Sequence, residues 1–403
     1  MSAVLVLGTG IQGRAAIQDL ERSAGVDRIV AADVDRGSVE RCLRDIGARK
    51  TEAAAVDVRE ASQLRRLMSA DVGVAIALVP VALEPALAAI AVDAGTDLVT
   101  TNFATAVEAL DPRARARGVT IVPEAGLDPG IDLVVVARAL SAFDRIDTLN
   151  SYGGGIPAPE CRDANVLNYR ISWSWEGVLA AYWRSARVIA GGAELVAGRD
   201  EIFRPQWRHT VTFDGIGELE AFVNGDAVVV AERAGIRDTV RTAGRYTLRW
   251  PGHCDFWEKI AALGLLDDTP PTGGGLSPRE FLRRHLEPQL QYGPAERDMI
   301  IVRVDVAGTT NGRRSARRYE LIDYRDVRTG ALAMSRTVGI PASIVAQMVL
   351  SGAIRHPGVA SPIRDIPPAP FFDALAERGI LVVEREIDAA DCYVTPACRR
   401  PAC

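Results

Sequence analysis

The feature that most constrains this chain lies in its first thirty-five residues. Val4-Leu5-Val6-Leu7 is an apolar run too short for a helix and suited to a buried parallel strand. It leads straight into Gly8-Thr9-Gly10-Ile11-Gln12-Gly13, a G-x-G-x-x-G, after which Ala15, Ala16, Ile17 and Leu20 recur at helical spacing. A second apolar stretch, Ile29-Val30-Ala31-Ala32, ends on Asp33, twenty residues after the last glycine. Such a turn needs Gly8 for its tightness, Gly10 for close approach to a pyrophosphate, and Gly13 for packing of helix on strand. The helix start, at Ile11 and Gln12, offers N–H groups and a partial positive charge to phosphate. Asp33 can accept hydrogen bonds from both hydroxyls of an adenosine ribose and would repel a 2′-phosphate, so NAD is expected over NADP. The other readings are an ordinary glycine turn or a fold that binds a methyl donor. Agreement of strand, turn, helix and acid favours the dinucleotide.

The next hundred residues continue the alternation of strand and helix. Arg36–Ile46 and Ala61–Met68 read as helices, and Ala53–Val56 as a strand closing on Asp57. A carboxylate at Asp57 suits either the adenine amino group or the cap of the following helix. Val72–Val79 is a buried strand stopped by Pro80, Pro85–Ala94 a helix closed by Gly95, and Asp97–Thr101 another strand. A helix ending at Gly118 and a strand over Val119–Pro123 follow. The pattern predicts a doubly wound parallel sheet, a Rossmann domain, with ligands at the C-terminal ends of the strands. Val79, Pro80, Thr101 and Asn102 fall there, as does the turn after Pro123.

At 403 residues the chain has room for two domains, and 48% apolar with 25% charged residues is ordinary for a globular protein. A net charge of −5 offers no general attraction for nucleic acid or an anionic membrane, so neither is an expected partner. No apolar run approaching the ~18 residues of a membrane span is apparent. Six scattered cysteines and the absence of a signal peptide point to the cytoplasm. Cys392, Cys398 and Cys403 lack the spacing of a metal site, and residues 386–403 read as a disordered tail.

Glu124-Ala125-Gly126-Leu127-Asp128-Pro129-Gly130-Ile131-Asp132 forces a tight turn where the nicotinamide should lie. Asp128 is therefore a candidate for proton chemistry, or else the cap of a helix beginning at Pro129. This turn, the opening fingerprint, Ser151–Pro159, Asn165–Tyr169 and Thr247-Leu248-Arg249-Trp250-Pro251-Gly252-His253 together resemble the saccharopine reductase and lysine 6-dehydrogenase group. The resemblance covers about residues 1 to 385. It implies a Rossmann domain (1–126), an α+β domain (127–335) for substrate binding and homodimerisation, and a C-terminal segment (336–385) returning to the first domain. The implied reaction is hydride transfer at a carbon–nitrogen bond of a small amine or amino acid.

An amine gives up hydride only when its nitrogen lone pair is free, so a proton acceptor is needed; Asp128 and His253 are the candidates. Arg249 suits a substrate carboxylate, and Asn102, Tyr152, Gly154 and Asn224 complete the expected substrate contacts. No metal ligand set is expected. Saccharopine reductases carry an arginine where Phe222-Val223-Asn224-Gly225-Asp226 places Gly225. Its loss disfavours a substrate with three carboxylates and favours a smaller amine such as lysine. Two readings stay beside the leading one, a saccharopine-type reductase and a non-catalytic NAD(H) sensor. The aromatic cluster of Trp173, Trp175, Tyr182, Trp183 and Trp207 reads as core or dimer face.

Overall fold

The computed structural model describes residues 3–68 and 71–392. Its first elements are β1 (Ala3–Leu7), α1 (Ile11–Arg22), β2 (Arg28–Asp33), α2 (Arg36–Ile46), β3 (Thr51–Ala55), α3 (Ala61–Met68), β4 (Val72–Ala77) and α4 (Glu84–Ala94). There follow β5 (Asp97–Thr100), α5 (Asp111–Arg117), β6 (Thr120–Val122), α6 (Ile131–Ala142), β7 (Arg145–Pro157), α7 (Trp175–Ala181), β8 (Ala186–Ala190), β9 (Ala193–Ala197), β10 (Arg208–Phe213) and β11 (Gly217–Val223). The rest are α8 (Ala227–Arg233), β12 (Thr242–Arg249), α9 (His253–Ala262), α10 (Pro278–Leu286), β13 (Asp298–Thr310), β14 (Arg313–Tyr324), α11 (Ala333–Leu350), β15 (Gly358–Val359), α12 (Pro362–Asp365), α13 (Pro368–Glu377) and β16 (Val383–Glu386). The chain divides into two compact units, Met1–Arg138 with Ser335–Leu381 and Ala139–Met334 with Val382–Cys403.

The first unit is the expected doubly wound sheet, in the order β15-β6-β5-β4-β1-β2-β3 with every pairing parallel. β1 is buried at all five positions, as its unbroken apolar run requires. It pairs with β2 on one side and β4 on the other, so the order reverses beside Gly8. Gly47, Gly95 and Gly118 close α2, α4 and α5 in the left-handed conformation.

α11 leads the C-terminal segment into the first unit. Its 18 residues, at mean hydropathy 1.2, are long and apolar enough by length and composition to cross a membrane, contrary to the sequence expectation; 72% of them are buried inside the protein. Packing explains that apolarity. A Cβ at Gly339 would stand 2.3 Å from the Gln12 carbonyl oxygen and 2.9 Å from the Ala16 nitrogen, so α11 lies directly on α1. Ser343 Oγ donates to buried Asp19 at 2.7 Å, and Arg378 Nε donates to the same carboxylate at 2.5 Å.

The second unit is a nine-stranded mixed sheet, β10-β11-β12-β7-β13-β14-β16, with β8 on β12 and β9 on β8. Central β7 runs parallel to β12 and antiparallel to β13. It is covered on both faces, so it lacks the alternation of a half-exposed strand. β13 and β14 join through Asn311 and Gly312, both at positive φ (51° and 73°), the backbone of a two-residue hairpin turn.

The C-terminal boundaries differ from expectation. Residues Ser335–Leu381 belong to the first unit, but β16 then pairs with β14, and Asn150 Nδ2 donates to the Cys392 carbonyl at 2.9 Å. Cys392 is buried against Ala307 and Ala316, so the chain to residue 392 is part of the second unit and not a disordered tail. Residues 393–403, with Cys398 and Cys403, lie outside the described residues.

Because α11 and α1 meet through backbone at Gly339, Gly339→Ala should cost about 1–3 kcal/mol by overpacking, despite alanine's better helix propensity. A denaturant midpoint measured against the parent checks this; an unchanged or raised midpoint would show that the helices can separate freely.

Candidate functional site

In the first unit the site is the C-terminal edge of the sheet. Gly8 has φ 92°, and a Cβ there would meet the Leu78 carbonyl oxygen at 2.4 Å; a Cβ on Gly13 would meet the Gly8 carbonyl oxygen at 1.9 Å. Gly10 is different, because its Cβ would enter open space. No side chain caps α1 at Gly10. The helix start thus faces an open cradle, the arrangement a pyrophosphate occupies. A bound nicotinamide dinucleotide would be held by Gly8–Gly13, with the Ile11 and Gln12 amides toward its phosphates.

Asp33, half-buried at the end of β2, is partly engaged by that turn. Its Oδ2 accepts from Thr9 N at 2.8 Å and Thr9 Oγ1 at 3.1 Å, and its Oδ1 accepts from Val34 N at 2.8 Å. Both lone pairs of Oδ2 are engaged by Thr9, and Oδ1 retains one for a ribose hydroxyl. Asp57 is held by Arg59 instead, accepting from its Nε at 2.9 Å and its Nη2 at 2.6 Å. That hydrogen-bonded ion pair lowers the Asp57 pKa to about 2. Asp57 does not cap α3, which begins four residues later at Ala61.

Across β1, the ends of β4 and β5 carry the other half of the edge. Asn102 Nδ2 approaches the Val79 carbonyl at 3.5 Å and donates to the fully buried Glu84 carboxylate at 2.5 Å. Pro80 is exposed in the turn that follows β4, and the Thr101 side chain packs on Gly126, within 3.3 Å of where its Cβ would be. Gly126 begins the predicted turn. A Cβ on Gly130 would stand 2.0 Å from the Gly126 carbonyl oxygen, so the loop closes only without side chains. The first amides of α6 are satisfied by main chain: Ile131 N on Gly126 O, Asp132 N on Leu127 O, and Leu133 N and Val134 N on Gly130 O. Gly130, not Asp128, directly precedes the first residue of α6, and Pro129 precedes α6 without opening it. The Asp128 side chain is exposed.

In the second unit a buried polar cluster forms where β12 ends and α9 begins. Arg249 is 6% exposed and His253 5%. Arg249 Nε donates to Tyr182 Oη at 2.9 Å, Arg249 Nη1 donates to the Leu248 carbonyl at 2.8 Å, and the guanidinium lies 5.1 Å from the Tyr169 ring centre. Tyr182 Oη and His253 Nε2 are 2.8 Å apart. Arg249 can only donate to the Tyr182 oxygen, which leaves the Tyr182 hydroxyl hydrogen for His253 Nε2 to accept. Burial, and then the Arg249 charge, hold the His253 pKa well below its ordinary value. Glu220 fixes the start of α9, accepting from Gly252 N at 3.0 Å and Cys254 N at 2.8 Å. Arg249 has no carboxylate partner among the described residues.

The remaining expected contacts sit apart from this cluster. Tyr152 is stacked on Tyr246 (centroids 5.1 Å apart) with His209 edge-on to both. Gly154 is explained by packing, since a Cβ would meet Leu248 Cβ at 2.8 Å. Asn224 Oδ1 accepts from Arg184 Nε at 3.0 Å and Nη2 at 2.8 Å. Gly225 has φ 110°, a conformation that strains any side chain. Tyr182, Glu220 and Glu84 escaped the sequence reading. Tyr182 stood in the aromatic cluster, where Trp175 is indeed core while Trp173 is 41% exposed. The one signal for Glu84 is an acid at the head of a helix whose next eight residues are apolar.

A doubly wound dinucleotide-type unit joined to a mixed-sheet unit with a buried arginine cluster defines the class, and the comparisons agree. Residues 4–122 match the saccharopine dehydrogenase NADP binding domain and residues 126–380 the saccharopine dehydrogenase C-terminal domain. The chain belongs to the saccharopine dehydrogenase family, and its first unit is an NAD(P)-binding domain. It is 27% identical to the saccharopine dehydrogenase [NADP(+), L-glutamate-forming] of Schizosaccharomyces pombe, covering 96% of this chain and 100% of that one. It is also 27% identical to the mitochondrial alpha-aminoadipic semialdehyde synthase of Bos taurus, covering 94% of this chain and 47% of that protein. The chain thus spans about half the length of that relative. Among solved structures, the apo histidine-tagged saccharopine dehydrogenase (L-Glu forming) of Saccharomyces cerevisiae superposes with TM-score 0.84 at 24% identity, covering 96% of this chain and 100% of that one. The fold is therefore shared.

Acid should weaken the second unit. Burial depresses the His209 pKa from 6.5 to about 4, so the folded state holds it neutral. That stability is complete above about pH 6.5 and is lost as the unfolded chain takes up protons below it. Between pH 7 and pH 5 the loss should be on the order of 2 kcal/mol, and His209→Phe should remove that part of the acid sensitivity. Urea midpoints at both pH values, for parent and variant, read it directly.

Proposed function

We propose that this protein is an NAD-linked dehydrogenase that oxidises a carbon–nitrogen bond of a small, carboxylate-bearing amine, in the manner of a lysine 6-dehydrogenase. The observation that carries the reading is Arg249. A guanidinium has five N–H donors, and two are spent on Tyr182 and Leu248. Burying its charge without an anion costs several kcal/mol, roughly, which a ligand carboxylate offsets with a bidentate pair. Tyr182 fixes the plane of the fork, and His253, neutral and hydrogen-bonded, fixes Tyr182.

When bound, the nicotinamide supplies the hydride acceptor. The chain must orient the amine and take one proton from its ammonium, so that the lone pair can assist departure of the hydride. Asp128 is the proposed acceptor, an exposed carboxylate in the turn after β6, at the expected nicotinamide end of the edge. His253 contributes through Tyr182, because its Nε2 is taken and burial opposes its protonation. The resulting imine then hydrolyses or cyclises.

Asp33 supports NAD. A 2′-phosphate would meet a carboxylate at the end of β2, although the relatives' names specify NADP. Gly225 supports a smaller substrate, since neither its side chain nor its backbone suits a second arginine clamp. The second reading, reduction of an imine formed from an aldehyde and an amino acid, is favoured by relatives named L-glutamate-forming saccharopine dehydrogenases that align over their whole length.

Two predictions follow from the geometry. NAD should bind at least about tenfold more tightly than NADP, and Asp33→Ala should bring the two affinities together; equal affinities in the parent would defeat the assignment. In a panel of diamines and amino acids followed by nicotinamide absorbance, turnover with lysine or a comparable amine alone would support oxidation, and strict dependence on glutamate plus aldehyde the second reading. In that assay Arg249→Met should raise KM by about 100-fold (~3 kcal/mol), and Asp128→Asn should lower kcat by about 10²–10⁴-fold. Near-parent kinetics for both would place the chemistry elsewhere.

A further inference from the structure

Glu84, the first residue of α4, has no exposed surface. Its carboxylate accepts from Thr100 Oγ1 through one oxygen and from Asn102 Nδ2, at 2.5 Å, through the other. No cation faces it among the described residues, and burial raises its pKa. An acid serving only the helix dipole would do so from solvent, at no desolvation cost. Here the carboxylate is instead turned inward, under the ends of β4 and β5.

Its effect is on Asn102. The Asn102 amide nitrogen faces two acceptors, Glu84 Oε2 and, at 3.5 Å, the Val79 carbonyl. A main-chain carbonyl can only accept, so the amide nitrogen belongs on that side and Oδ1 points the other way. Asn102 is half-buried just beyond β5, across β1 from Asp33. With the adenosine ribose at Asp33, a dinucleotide crossing this edge brings its nicotinamide half to the ends of β4 and β5.

We infer that Glu84 is a positioning residue that locks the Asn102 side chain with its oxygen outward, as the acceptor for the N–H of the nicotinamide carboxamide. This rests on the dinucleotide reading of the first unit. Anchoring the carboxamide selects which face of the nicotinamide ring is presented to substrate. Thr100 and Val79 then serve as fixed walls that keep the Glu84–Asn102 pair in one orientation.

The test is equilibrium binding, read by cofactor fluorescence, of NADH and of reduced 3-acetylpyridine adenine dinucleotide, which has a methyl group in place of the carboxamide NH2. The parent protein should prefer NADH by about tenfold, the size of one hydrogen bond to a desolvated acceptor. Asn102→Ala and Glu84→Leu should each reduce the ratio to near one, and Glu84→Gln, which still accepts from Asn102, should restore most of it. Combining Glu84→Leu with Asn102→Ala should reduce the ratio no further. A merely structural role for Glu84 would weaken both dinucleotides equally and leave the ratio intact, which overturns the inference. So would a parent that binds both equally, or an Asn102→Ala variant with the parent's ratio. If Glu84→Leu does not fold, the Asn102→Ala and Glu84→Gln ratios decide alone. A parent that binds neither dinucleotide overturns the reading of the unit itself, and the inference with it.

Discussion

A guanidinium removed from water without a carboxylate is the constraint around which the second unit's polar core is arranged. Arg249 reaches its place because it ends β12, a strand whose preceding residues are buried between β7 and β11. What surrounds it is hydroxyl, carbonyl and aromatic face, each able to accept without neutralising the charge. Burial, and then the same charge, oppose protonation of His253, which serves as an acceptor for Tyr182. Glu220 then fixes the helix that carries His253. The chain of donors runs in one direction, from Arg249 to Tyr182 to His253. Removing the Tyr182 hydroxyl would therefore strand two buried polar groups at once.

The first unit poses the opposite electrostatic problem. Asp33 and Glu84 lie at the edge of its sheet, and neither carboxylate is answered by an arginine or lysine among the described residues. Each is satisfied by N–H or O–H donors from the adjacent turn. Donors of that kind stabilise a carboxylate without placing a cation in the path of the ligand. At Asp33 this leaves one lone pair, on Oδ1, for a hydroxyl, and at Glu84 it fixes the direction of an amide. At both positions the direction of the carboxylate is set by hydrogen bonding alone.

Much of the first unit is legible in the amino-acid order because its signals are local. α2 and α3 run over the residues their apolar spacing marks out, and the glycines after α4 and α5 end those helices. The second unit is harder to read. β7 is covered on both faces and carries three consecutive glycines, so no single period runs through all of its 13 residues. β15 is a two-residue strand whose only reason is its partner β6. The site divides in the same way. Gly8, Gly13 and Asp33 are visible because one turn requires them, whereas Tyr182 and Glu84 acquire meaning only from residues 67 and 16 to 18 positions away. Tyr152, Gly154 and Asn224 show the converse, a motif whose residues the fold uses in packing and in holding Arg184.

Two positions bear on the proposed coenzyme and substrate on physical grounds that are independent of each other. At Asp33 the ground is charge: a carboxylate held by Thr9 and Val34 cannot turn away without losing the hydrogen bonds that tie it to the glycine turn. At Gly225 the ground is backbone. With φ at 110° and Arg245 already alongside, at 3.6 Å from where a Cβ would sit, a long side chain would need the chain itself to be rebuilt. Neither ground involves the order of the strands, and the fold as a whole superposes on the yeast structure with TM-score 0.84. Side-chain departures at fixed strand ends are the inexpensive route to a new specificity. The costly elements, the Gly8–Gly13 contact and the buried Arg249 cluster, are what a family sharing this fold would be expected to hold constant.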